Sequence, residues 1–183
     1  MTFSIVAKCT KTGQLGMAVS SSSPAVAARC AHAKAGVGVV ASQNITDPRL
    51  GPKTLLAMAE GHSAPEAVKM IINAAENADF RQVLAVDATG NTAIYSGSKS
   101  LDIHADFASQ NAAAAGNLLA NPNIPKVMVT AFHEGTGHLG DRLIDAMRVA
   151  LALGGEAGAL HSAGLLLVGE LSLIHISEPT RPY

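Results

Sequence analysis

Thr2 follows Met1 directly and leads into Phe3-Ser4-Ile5-Val6-Ala7, a run of strand-forming residues. Removal of a methionine before so small a residue is easy, and it would put a hydroxyl and the chain's α-amine on one residue. Such a residue carries its own nucleophile and its own general base. An α-amine titrates near ~8 in a model peptide, so it can accept a proton near neutral pH. Lys34 sits just before a third strand, where a cation would tune that amine and stabilise an oxyanion. Asn117, after an alanine run, can aim an amide at the same developing charge. These three residues are the candidate catalytic set. Ser22, Gln43, Asp47 and His104 are candidate substrate-binding residues, polar groups in apolar or small-residue surroundings. Asp106, Glu156 and His161 share those surroundings and read more simply as structural.

Other arrangements are weaker. His133-Glu134-Gly135-Thr136-Gly137-His138 places two histidines five apart with glycines between them. A zinc-binding helix needs them four apart on one face, so this segment reads as a helix–helix turn. Ser20-Ser21-Ser22-Ser23 lacks the glycines of a nucleophile elbow. Cys9 and Cys30 have no metal or redox spacing and are expected to be buried thiols. Neither a metal nor a cofactor is expected.

The elements that must position these residues come next. Thr2–Cys9 and Leu15–Ser20 read as a hairpin across Lys11-Thr12-Gly13-Gln14. Ser23-Pro24 is expected to open a short helix over Ala25–Ala33. Gly36–Ser42 reads as the third strand. Pro52–Glu60 reads as a helix closed by Gly61, and Ser63-Ala64-Pro65-Glu66 as a capping box that starts another. Val68, Ile71, Ile72 and Ala75 form the apolar stripe of that second helix. Gln82–Asp87 and Thr92–Ser96 read as a second hairpin, helices are expected at about 124–134 and 138–153, and Ala163–Val168 as a buried strand. Strands and helices in blocks predict an α+β fold with antiparallel sheets.

The 183 residues suit one domain, and a formal net charge of −1 gives no reason for a polyanionic partner. Tryptophan is absent and no basic stretch interleaves with aromatics, so nucleic-acid binding is not expected. No apolar run approaches ~20 residues and no leader pattern is present, which points to a cytoplasmic protein without membrane contact. Small-residue helical faces make a homodimer plausible. Leu171–Tyr183 breaks the character of the chain and resembles the translation of a sequencing adapter. The expectation is therefore a single domain over 1–170, incomplete at its C-terminal end, with a non-native tail over 171–183.

Thr2-Phe3-Ser4-Ile5-Val6-Ala7, Ser23-Pro24-Ala25-Val26, Lys34-Ala35-Gly36-Val37-Gly38, Asp47-Pro48-Arg49-Leu50-Gly51-Pro52 and Gly116-Asn117-Leu118-Leu119-Ala120 resemble the bacterial and archaeal domain-of-unknown-function family 1028. His161-Ser162-Ala163-Gly164 resembles its late strand. The resemblance implies a fold similar to the N-terminal nucleophile hydrolases, a four-layer αββα sandwich whose members cleave amides with an N-terminal Thr, Ser or Cys. Thr2 falls at the matching place, and Lys34 at a distance similar to that of the lysine in threonine-type members such as proteasome subunits. The chain departs in lacking an aspartate on its second strand, and in having Asp106 and Ile103 where many family members have His and an aromatic. The implied function is an amidohydrolase on a small amide or related substrate. The rival is a binding or assembly module that keeps the fold without the chemistry.

Overall fold

The computed structural model describes residues 2–169. The segment set apart above, 171–183, lies outside them. Two antiparallel sheets and five helices make a mixed α+β fold. The first sheet has the order β7-β8-β1-β2-β9, formed by β1 (Thr2–Lys8), β2 (Leu15–Ser21), β7 (Ala105–Ser109), β8 (Ala112–Asn117) and β9 (Ser162–Val168). The second has the order β3-β4-β5-β6, formed by β3 (Ala31–Lys34), β4 (Gly38–Asn44), β5 (Arg81–Asp87) and β6 (Thr92–Ser96). The helices are α1 (Val26–Cys30), α2 (Leu50–Ala59), α3 (Ala64–Asn73), α4 (Ile124–Glu134) and α5 (Leu139–Ala152).

Strand parity sorts the side chains into layers, because successive residues point to opposite faces. Phe3, Ile5 and Ala7 of β1 pack with Met128, Phe132, Leu139 and Leu143 of α4 and α5. Val6 points the other way and meets Met17, Val19, Val39, Ala41, Leu84 and Val86, the filling between the two sheets. On the far side, Val40, Val83 and Ala85 pack under Leu55, Met58, Val68 and Ile72 of α2 and α3. Each fully buried Leu, Ile, Val or Phe here contributes about 1.5–3 kcal/mol. Ala112–Ala115 are all buried and keep the first sheet thin enough to receive helices on one side and a sheet on the other.

Both hairpins form where the pattern predicts them, and β1 lies at the centre of its sheet between β8 and β2. The Ser63–Glu66 capping box is present, with the Ser63 N–H and hydroxyl both donating to Glu66 Oε2, at 2.8 and 2.7 Å. The helix expected over Ala25–Ala33 is instead one short helix followed by a strand. Helix α1 stops at Cys30, and Ala31–Lys34 pair with β4 as an edge strand. Its start also differs. Ala25, at φ 51°, stands at the N-terminal boundary, and Ser162 Oγ of β9 accepts from the Val26 N–H at 3.1 Å. A cap supplied from 136 residues away leaves no mark in the local sequence.

Candidate functional site

Thr2, Ser4 and Val6 share the face of β1 that looks into the space between the sheets. Asn117 is the direct cross-strand partner of Thr2 on β8. Asn117 has the parity of Ala113 and Ala115, which line the same inter-sheet space. On the other flank, Thr2 Oγ1 lies 3.2 Å from Ser21 Oγ, which also accepts from the Ser23 N–H at 3.0 Å. Asn117, Thr2 and Ser21 therefore form one polar row across three adjacent strands, at one end of an otherwise apolar interior.

The second sheet answers this row with Gln43, Gln82 and Ser96, neighbours across β4, β5 and β6. Ser4 Oγ donates to Gln43 Oε1 at 2.7 Å. Gln43 Nε2 donates to Gln82 Oε1 at 2.7 Å and to the Ala115 carbonyl at 3.2 Å. Gln82 Nε2 donates to Ser96 Oγ at 3.0 Å and to the Gly116 carbonyl at 3.3 Å. Asn117 Nδ2 donates to Gln82 Oε1 at 3.2 Å. Ser96 Oγ donates to Asp106 Oδ2 at 2.6 Å, so an exposed carboxylate ends the chain of bonds at the solvent edge. Ser4, Gln43, Gln82 and Asn117 are each 0 % exposed and Thr2 is 4 % exposed. A buried polar cluster of this kind is stable only when its members pair, and the two glutamines do so with both ends of their amides. One atom is left over: Asn117 Oδ1 is buried with no hydrogen-bond partner among the described residues.

Of the residues singled out from sequence, the fold brings Thr2, Asn117 and Gln43 into this cluster. Lys34 is not among them. Its partner on β4 is Gly38, whereas the cluster sits at Gln43, five residues along the same strand. At 3.2–3.4 Å per residue that separation is about 16 Å, and the Lys34 side chain is exposed. The expectation of a lysine beside Thr2 is corrected by the strand register: β3 runs antiparallel to β4 and carries Lys34 to the opposite end of the sheet.

Asp47 has a local task. Its carboxylate accepts from Arg49 N, Nε and Nη2 at 3.0, 2.9 and 2.8 Å, and its carbonyl accepts from Ser42 Oγ at 3.0 Å. The Arg49 hydrogen bonds hold its pKa down at about 2. Ser22 contributes its carbonyl to His161 Nδ1 at 2.7 Å. His104 is exposed, with Nδ1 2.9 Å from the Asp102 carbonyl. These bonds tie Ser22 to His161, Asp47 to Arg49 and Ser42, and His104 to Asp102 rather than to Thr2.

Sequence reading missed Gln82, the hub of the cluster. The signal was present: Gln82, Leu84 and Val86 share one strand face, as do Val39, Ala41 and Gln43. A glutamine at the inward parity of a buried strand needs partners. Glu156 was noted only as a polar residue. It is 4 % exposed, bridges to Leu119, and neither carboxylate oxygen has a partner among the described residues. The segment after it runs from Ala157, whose N–H donates to the Leu118 carbonyl, to His161, whose N–H donates to the Ser21 carbonyl, both at 2.9 Å. These anchors follow Asn117 and end β2, so the segment crosses the end of the sheet where β1 begins.

His133 and His138 do not converge. His133 Nε2 lies 2.7 Å from Ser109 Oγ, and His138 Nδ1 accepts from the Gly140 N–H at 3.1 Å to cap α5. Among the described residues no group of three His, Cys, Asp or Glu could hold a metal ion, and no helix is long and apolar enough to cross a membrane.

No curated protein matches the chain. The crystal structure of protein SPO2555 from Silicibacter pomeroyi, described under the same family of unknown function, matches at 30% sequence identity with a TM-score of 0.83. The match covers 92% of this chain and 76% of that one. The same family's sequence pattern matches residues 2–182, and the chain accordingly belongs to the family of unknown function DUF1028.

Proposed function

We propose that this protein is an N-terminal-nucleophile amidohydrolase acting on a small amide or related substrate. The observation that carries the proposal is the position of Thr2. It opens the central strand of a sheet in a helix–sheet–sheet–helix stack, faces the space between the sheets, and has hydroxyl and amide side chains on both flanks. With Met1 removed, Thr2 Oγ would attack the carbonyl and the α-amine on the same residue would take the proton, directly or through water. Backbone N–H groups at the strand ends would stabilise the oxyanion. Asn117 Nδ2 gives one of its two N–H groups to Gln82, so the second can still serve the oxyanion, while Oδ1 is left as a buried acceptor. The test is an amide-hydrolysis screen of wild type against Thr2→Ala, with intact mass to establish whether Met1 is removed. Full turnover by Thr2→Ala on a confirmed substrate ends the proposal.

A second reading, a binding or assembly module on the same fold, draws on two observations: Thr2 is only 4 % exposed, and Lys34 stands far from it. Retention of Met1 on the purified protein would favour this reading.

A further inference from the structure

The amide network has a direction, and backbone atoms fix it. The Ala115 and Gly116 carbonyls can only accept, so the groups facing them must be Gln43 Nε2 and Gln82 Nε2. Gln82 Oε1 is then turned towards Gln43 and Asn117, and both must donate to it. Asn117 consequently presents Nδ2 to Gln82 and keeps Oδ1 on its other side. That oxygen is fully buried, unpartnered among the described residues and carried by the residue directly across the ladder from Thr2. Directly opposed residues hold their Cβ atoms ≈ 4.5–5.5 Å apart. A buried acceptor in this position calls for a donor.

We infer that Asn117 Oδ1 is the acceptor for the α-amine that Thr2 carries once it is the first residue, which makes Asn117 a positioning residue. The inference deepens the proposed function and rests on its view of Thr2. Removal of Met1 replaces one amide N–H by an ammonium with three donors. The fixed carbonyl of Asn117 holds one of them and aims the nitrogen at the Thr2 hydroxyl. A hydrogen bond to the charged form favours that form, so Asn117 raises the amine's pKa.

The experiment uses a chain released by cleavage of a fusion so that it begins at Thr2, and reads the α-amine pKa by NMR titration. It needs no substrate and no turnover, so its failure is distinct from failure of the hydrolase proposal. Asn117→Ala is expected to lower the amine pKa by about half a unit to one unit, the scale of one hydrogen bond to a charged group. Val86→Ala, which loosens the inter-sheet core without touching the network, is expected to leave it unchanged. Asn117→Asp keeps an acceptor at the amine and charges it, so the pKa must rise. It also supplies a readout if the alanine variant does not fold. An amine pKa indifferent to both Asn117 variants overturns the inference and assigns the carbonyl to another donor.

Discussion

Ser4 Oγ and Gln43 Oε1, 2.7 Å apart, join the two sheets by a side-chain bond at the polar end of an interior filled elsewhere mainly with Val, Leu, Met and Ala. The bond runs from the strand that begins with Thr2 to the strand whose far end meets Lys34. Gln43 therefore sits at the end of β4 away from Lys34, the lysine that the family resemblance sets beside Thr2.

Thr2→Ala is expected to abolish turnover on any confirmed amide substrate, with a loss on the order of 10⁶-fold in kcat, the scale seen when a nucleophile is deleted. Lys34→Ala is expected to change kcat/KM by no more than about twofold, because an exposed cation about 16 Å along the sheet contributes only a screened field. Steady-state kinetics of both variants check this. A large loss in Lys34→Ala would contradict the placement of the site.

Gln82→Leu is expected to destabilise the fold by about 3 kcal/mol or more. It removes the acceptor of Gln43 and Asn117 and the donor to the Gly116 carbonyl, and each buried group left unsatisfied costs about 1–3 kcal/mol. Urea denaturation checks it. The same substitution leaves Asn117 without the partner that sets its orientation, so any activity is expected to fall with stability.

Much of the fold was legible because its signals are local. Alternation in Phe3–Ala7 and Leu15–Ser20 identifies a hairpin, and Ser63 with Glu66 identifies a helix start. The run from Ala25 to Lys34 was not legible. Its alanines suit a helix as readily as an edge strand, its cap comes from Ser162, and pairing with β4 decides the outcome. The site was half legible for the same reason. Thr2 and Asn117 are recognisable one at a time, but their pairing, the reach of Gln43 to Ser4 and the hub at Gln82 are long-range facts. A distance in sequence between Thr2 and Lys34 says nothing of which end of a strand the lysine occupies.

Glu156→Leu is expected to raise stability by about 1–3 kcal/mol. The carboxylate is buried beside Leu119 with both oxygens unpartnered, and an apolar side chain removes that unsatisfied desolvation. Thermal unfolding checks it. A clear loss of stability would mean that the carboxylate is satisfied in solution by a group that the described residues do not supply.

Acid stability is expected to depend on Asp47 and on its guanidinium partner. The Arg49 hydrogen bonds hold the folded-state pKa at about 2, against 3.8 for the group without them. A folded pKa below the unfolded value means that the unfolded chain binds the extra proton. The stabilisation is therefore fully present above about pH 4 and is lost as pH falls towards 2. The Arg49 side chain is 67% exposed, so the contribution is screened and weakens with salt. Arg49→Ala is expected to return the Asp47 pKa towards 3.8 and flatten stability against pH over this window. Asp87 provides an internal contrast. Burial pushes its pKa up, yet donors from Thr89, the Ala64 N–H and Asn91 outweigh that and lower it. Its share of the acid sensitivity survives in Arg49→Ala, because its donors are uncharged. NMR titration of both carboxyls, with denaturation at pH 2.5 and 5, separates the two. An unchanged Asp47 titration in Arg49→Ala would show that the guanidinium is not what holds the carboxylate.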